Sequence, residues 1–159
     1  MLQTVQTALN TTRFFGLGDL GGHNLLDGWA IPEANHNWND GYEASLALTL
    51  SEPPETACIL TMEVRPYLVA GLAQQDVTLF FNGHRLGFWR LDRDGGYHLA
   101  STIEPEFWLN RPHGASGTCT WHLPNSTRPS ALSPVQDHRL LGLCFQSMTL
   151  ATKRLPSRR

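Results

Sequence analysis

Apolar and polar residues alternate with a period of two along most of the chain, the spacing that puts every second side chain on one face of a strand. Ala44, Leu46, Leu48 and Leu50 alternate with Glu43, Ser45, Ala47 and Thr49, and Cys58, Leu60, Met62 and Val64 enclose Thr61 and Glu63. Between the two runs lies Ser51-Glu52-Pro53-Pro54-Glu55. Its prolines cannot donate to a ladder, so a turn is predicted, with an antiparallel hairpin as the simplest connection. Residues 77–81 and 84–91 form two further extended runs around Asn82-Gly83. Both turn residues tolerate the positive φ of a type I′ turn, which predicts a second hairpin. Asp94-Gly95-Gly96 then leads into residues 97–103, and residues 117–123 place Cys119 and Trp121 on one face. The last run, 140–150, has Leu141, Leu143 and Phe145 in one phase and Met148 and Leu150 in the other, so a β-bulge is expected near Gln146-Ser147.

With residues 14–15 as a short first strand, about eight strands are predicted, separated by turns and by longer loops at 18–41, 104–116 and 124–139. No stretch carries an apolar stripe of helical period and length. This pattern predicts an all-β, antiparallel β-sandwich of jelly-roll-like form. The sandwich is expected over residues 13–151, with an N-terminal tail at 1–12 and a basic C-terminal tail at 152–159. The length of 159 residues suits one domain, and 14 Gly, 10 Pro and a charged fraction of 16% argue against a helical bundle or a disordered chain. Net charge is −2, and the only basic cluster is Lys153, Arg154, Arg158 and Arg159, so charge gives no case for a nucleic-acid partner. No apolar run is long enough to cross a bilayer as a helix. Cys58, Cys119 and Cys144 are odd in number and set among apolar residues, as reduced, buried cysteines are. Together with a start that carries no signal-peptide pattern, they predict a cytoplasmic setting.

The most unusual stretch runs from Gly28-Trp29 through Pro32-Glu33 and His36-Asn37-Trp38-Asn39-Asp40 to Gly41. Two indoles beside polar groups can form a platform for sugar rings, with Glu33, His36, Asn39 and Asp40 exchanging hydrogen bonds with hydroxyls. The candidate ligand-binding residues are therefore Trp29, Glu33, His36, Trp38 and Asp40. The competing reading has the indoles capping the core, and for Trp38 it is the favoured one, since a Trp beside a strand start is commonly buried. A second constellation is Ser133-Pro134-Val135-Gln136-Asp137-His138-Arg139-Leu140-Leu141-Gly142. Here Asp137 can fix the turn, and Arg139 can fork to a second carboxylate, for which Glu33 is the candidate. Glu33, Asp137 and Arg139 are thus expected as a structural ion pair joining the two loops. A glycosidase acid/base pair made of Glu33 with Asp137 or Asp40 is the weaker alternative. The seven histidines show no metal-binding spacing, and neither a metal nor a cofactor is expected.

Gly28-Trp29 with Pro32-Glu33, then Trp38 and Gly41, a central strand ending in Asn82-Gly83, and a late Ser133-Pro134 followed by Asp137, Arg139 and Leu141-Gly142 form an ordered set. In that order they resemble a small β-sandwich accessory domain of bacterial surface-polysaccharide and glycosyltransferase proteins, over roughly residues 25–150. The resemblance implies a non-catalytic, glycan-associated module of a bacterial polysaccharide-synthesis system, with a glycan or a polysaccharide-synthesis protein as partner. The alternative is a structural or assembly protein that binds another protein or a second copy of itself. An enzyme acting on glycosides comes third.

Overall fold

The alternating runs form strands that bury one side each, as a computed structural model describing residues 6–20 and 24–153 shows. One sheet contains β1 (Thr12–Phe14), β2 (Asn37–Trp38), β4 (Cys58–Pro66), β7 (Tyr97–Ile103) and β10 (Leu143–Thr152). Its order is β1-β10-β4-β7, and β2 shares with β1 the edge of β10 that β4 leaves open. The second sheet contains β3 (Glu43–Leu50), β5 (Gln75–Phe81), β6 (His84–Leu91), β8 (Leu109–Arg111) and β9 (Gly114–His122). Its order is β3-β9-β5-β6, with β8 beside β9. Every named pairing is antiparallel. The result is a β-sandwich of jelly-roll type.

The core is the space between the inner faces. Met62, Val64, Phe145 and Met148 from the first sheet meet Leu46, Leu48, Leu79, Phe81 and Trp121 from the second, all essentially inaccessible to solvent. The Trp121 indole N–H donates to Met62 Sδ at 3.2 Å, so even this buried polar group has a partner on the opposite sheet. Cys58, Cys119 and Cys144 are free and buried. Burial pushes the Cys119 thiol up to about 12.

Two local predictions hold at their positions. Asn82 and Gly83 take φ of 48° and 83° and close the β5–β6 hairpin. The β10 register against β4 shifts between Phe145 and Ser147, where the phase of the sequence breaks.

The expected hairpin between the runs ending at Leu50 and starting at Cys58 does not form. β3 pairs with β9, while β4 lies between β10 and β7 in the other sheet, so the Pro53-Pro54 segment crosses between layers. Alternation shows that a strand has one buried face and not which strand lies beside it. Two short strands, β2 and β8, were not expected, and the long loop before β10 contains one helical turn, α1 (Pro129–Leu132). The first strand ends at Phe14, and Phe15 turns into the core. Thr7 and Asn10 donate their N–H groups to the carbonyls of Thr49 and Leu150, which lays residues 6–11 along the sandwich. Arg154, Arg158 and Arg159 of the basic tail lie outside the described residues.

Candidate functional site

Residues 28–40 fold back on themselves as a short ribbon. Ala30 N–H donates to Trp38 O, Asp40 N–H to Gly28 O, and at the tip Glu33 N–H to His36 O. Strand pleating then sends neighbours in opposite directions: Asn37 and Asn39 point inward with no exposure, and Trp38 between them points outward. The ribbon seats flush on β3 because Gly28, at φ +87°, has no side chain. A Cβ there would lie 1.8 Å from the Glu43 carbonyl oxygen.

Trp29, expected at the ligand surface, is instead tied into the core. Its ring centroid lies 4.8 Å from Phe145, 5.7 Å from Phe15 and 6.1 Å from Trp121, and its N–H donates to Ser45 O at 2.7 Å. Both the rings and the polar handle of this side chain are engaged within the protein. The role of core cap, favoured from sequence for Trp38, thus falls to Trp29. Trp38 is half-buried and stands edge-on to Tyr67, with ring centroids 6.2 Å apart.

Asn39 is likewise unavailable to a ligand. Its Oδ1 accepts the N–H groups of Gly142 and Leu143, each at 2.8 Å, and its Nδ2 donates to Gly41 O, Leu140 O and Ser126 Oγ. One buried amide therefore clamps the early ribbon to the turn before β10. Asn37 does the same on the other side, accepting Gly16 N–H at 2.9 Å. Gln75, also fully buried, donates to the carbonyls of Tyr67 and Asn125. Buried amides of this kind satisfy irregular backbone that no ladder covers.

This scaffold presents a charged surface. Arg139 forms a two-pronged pair with Asp137, at 3.0 Å through Nε and 2.7 Å through Nη2, and Asp137 also accepts the Arg139 backbone N–H. The Arg139 hydrogen bond holds the Asp137 carboxyl below the usual carboxylate range, against a smaller opposing effect of burial. Arg139 Nη1 lies 3.6 Å from Glu33 Oε1, so the predicted link between the two loops exists, although Asp137 is the closer partner. Glu33 in turn pairs with His36 Nε2 at 2.5 Å. Asp40 accepts the Leu140 N–H at 2.9 Å. Asp40, Val135, Gln136, Asp137, His138 and Arg139 line an open hollow of about 680 Å³.

Arg65 and Tyr67, which sequence reasoning passed over, complete the surface. Cys144, opposite Trp38 in the ladder, also lies opposite Arg65 on β4. Its thiol is pushed up to about 11, first by burial and then by the Glu33 carboxylate, with Arg65 opposing. The Tyr67 hydroxyl is raised by burial and by Asp137. The influence of Asp137 makes Tyr67 a neighbour of the ion cluster, and Trp38 stands edge-on to Tyr67. Arg65 occupies a polar phase of β4, which was visible in the sequence; its place beside Trp38 depends on strand order, which was not. Among the described residues, no group of three or more His, Cys, Asp or Glu is placed to hold a metal ion.

No family model matches the chain, and no curated protein sequence does. Among solved structures, a family 35 carbohydrate-binding module from an environmental isolate is similar over 90% of this chain and 98% of its own, with a TM-score of 0.51 and 10% identity. The chain has the fold of that module. Weaker likenesses are to a CBM36-1 domain of a multidomain xylanase from the hindgut metagenome of Trinervitermes trinervoides and to a Podospora anserina GH26-CBM35 β-(1,4)-mannanase. The first covers 97% of this chain and 95% of its own, with a TM-score of 0.44 and 9% identity. The second covers 95% of this chain and 27% of its own, with a TM-score of 0.46 and 10% identity.

Proposed function

We propose that the protein is a non-catalytic carbohydrate-binding module whose ligand surface is built by the ribbon at 28–41 and the loop at 124–142. The observation that carries this reading is the outward indole of Trp38, braced by Tyr67 and flanked by the Glu33–Arg139–Asp137 cluster on a rigid, amide-clamped base. Sugar rings present C–H groups to an indole and hydroxyls to charged acceptors and donors, and this surface offers both. Glu33, His36, Asp40, Asp137 and Arg139 supply the polar contacts, and Trp29 supports the platform from beneath. The fold shared with a family 35 carbohydrate-binding module supports the same reading.

The partners of the carboxylates favour binding over hydrolysis. Asp137 is held ionised by Arg139, Glu33 is paired with His36 and Arg139, and Asp40 caps the backbone of the turn. A glycosidase acid needs a carboxyl whose proton is retained near neutrality, and Asp137 is shifted the other way. The resemblance noted in the sequence suggests the setting, a bacterial polysaccharide-synthesis system, and the free, buried cysteines suggest the cytoplasm; there the module would hold a glycan for a larger partner.

The test is a glycan array probed with the purified protein and with Trp38→Ala, followed by titration calorimetry on the strongest ligand. Loss of one stacking contact of about 1 kcal/mol predicts several-fold weaker binding by the variant at unchanged unfolding midpoint. Equal binding by both proteins, or no glycan bound at all, would overturn the reading.

A further inference from the structure

The outer face of the first sheet can be laid out residue by residue from its registers. Trp38, Cys144 and Arg65 form one cross-strand row. The next outward row is Phe14, Ser147, Glu63 and His98, and the one after it is Thr12, Thr149, Thr61 and Ala100. Gln146 is the bulged residue between the first two rows, so Trp38 and Phe14 are neighbours along the same edge of β10. Their rows are two residues apart on β4, about 7 Å at the rise of an extended strand. Phe14 is 58% exposed, high for a phenyl ring on a sheet face.

Beside this aromatic edge the face is hydroxyl-rich and grooved. A hollow of about 200 Å³ is lined by Thr12, Thr61, Glu63, His98, Ser147 and Thr149. Thr12 and Thr149 share a hydroxyl hydrogen bond at 3.0 Å, and His98 Nδ1 lies 2.5 Å from Glu63 Oε1. Each pair fixes the orientation of its members and leaves further donor or acceptor sites for a ligand. Along this surface and the ion cluster that adjoins it, Arg65 and Arg139 stand against Glu33, Glu63 and Asp137, so there is no excess of positive charge to draw a polyanion.

We infer that this face continues the Trp38 site into a track for an uncharged, extended glycan chain. Trp38 and Phe14 are successive stacking stations, and Ser147, Glu63, His98 and the threonines receive the hydroxyls along one side. The inference rests on the carbohydrate-binding reading above and adds that the module grips the interior of a linear chain rather than a single terminal sugar.

The experiment titrates the whole protein with β-1,4-linked gluco-, xylo- and manno-oligosaccharides of two to six units, with sodium polygalacturonate as the polyanionic chain. Affinity should rise at least several-fold from the disaccharide to the tetrasaccharide of whichever series binds. Phe14→Ala should flatten that rise, Phe14→Tyr should restore it, and Trp38→Ala should weaken every length. The unfolding midpoint of Phe14→Ala checks that an exposed ring has been removed without loss of the fold. Binding by the unaltered protein without length dependence, or a length dependence indifferent to Phe14→Ala, overturns the track alone. Tighter binding of polygalacturonate than of the neutral chains overturns the assignment of an uncharged ligand. Absence of binding to every one of these chains overturns the track, while the underlying carbohydrate reading falls only if the glycan array is also blank.

Discussion

Trp29 and Trp38 belong to one ribbon and have opposite fates. Trp29 packs against Phe15, Trp121 and Phe145 and spends its N–H on Ser45, whereas Trp38 faces outward beside Tyr67. Composition does not separate them, because both are indoles in a polar, turn-rich stretch. The pleat does: Trp29 is bridged to inward-facing Asn39, while Trp38 lies between Asn37 and Asn39 and so takes the other side. One ring is thereby committed to the core, and the other is left facing outward.

The sharpest way to break this contrast is to remove each ring. Trp29→Ala should cost about 3–5 kcal/mol by opening a large void among three aromatic neighbours, read as a lower urea midpoint at unchanged slope. Trp38→Ala should cost under about 1 kcal/mol. Equal losses for the two would show that Trp38 is a core pillar as well.

Asn39→Ala should come next, at about 2–4 kcal/mol, because it strands the buried N–H groups of Gly142 and Leu143. Asn39→Asp keeps the acceptor and loses the donor. If the clamp acts through its acceptor, equilibrium unfolding should show that variant recovering part of the loss.

Arg139→Ala should have a smaller effect. With side chains 34% exposed for Arg139, 29% for Asp137 and 44% for Glu33, solvent screens the cluster, and the expected cost is about 1 kcal/mol or less. The same pairing sets a pH dependence. The folded-state pKa of Asp137 is lowered, so its contribution is complete above the unfolded value near ~3.9 and is lost as pH falls through the folded value. Asp76, lowered by its hydrogen bond to Arg90, adds in the same direction. Unfolding followed from pH 6 down to pH 2 should show the acid-side loss reduced in Asp137→Asn. An unchanged profile would remove Asp137 from the account.

The mildest probe is thiol labelling. Cys58, Cys119 and Cys144 should all react slowly in the folded protein and completely in denaturant, with Cys144, 6% exposed against 0% for the others, the first to react. Trp38→Ala should speed Cys144 selectively, since Trp38 is its ladder neighbour.

What the sequence made legible is what local chemistry decides. The break in phase between Phe145 and Met148 located the bulge, Asn82-Gly83 located a hairpin, and Asp137 with Arg139 located an ion pair reaching toward Glu33. What it hid depends on which strands are neighbours. The crossing of Pro53-Pro54 between sheets, the place of Arg65 and Tyr67 beside Trp38, and the alignment of Phe14 with Ser147 all follow from pairings among segments far apart in the chain. Asn39 was misjudged for the same reason. A polar residue in a loop looks available until the backbone it satisfies, here around Gly142, is known to lie against it.

The bulge at Gln146 also fixes where β10 can change in length. Leaving Gln146 out of the count, β10 alternates without a break: Leu143, Phe145, Met148 and Leu150 inward, Cys144, Ser147 and Thr149 outward. A one-residue deletion elsewhere between Leu143 and Leu150 would exchange the faces on one side of it and turn Ser147 and Thr149, or Leu143 and Phe145, the wrong way. At Gln146 the same deletion keeps both faces and gives up only the local bend and the carbonyl that receives the Phe15 N–H. Descendants of this chain that differ by one residue within the strand should therefore carry their gap at that single position.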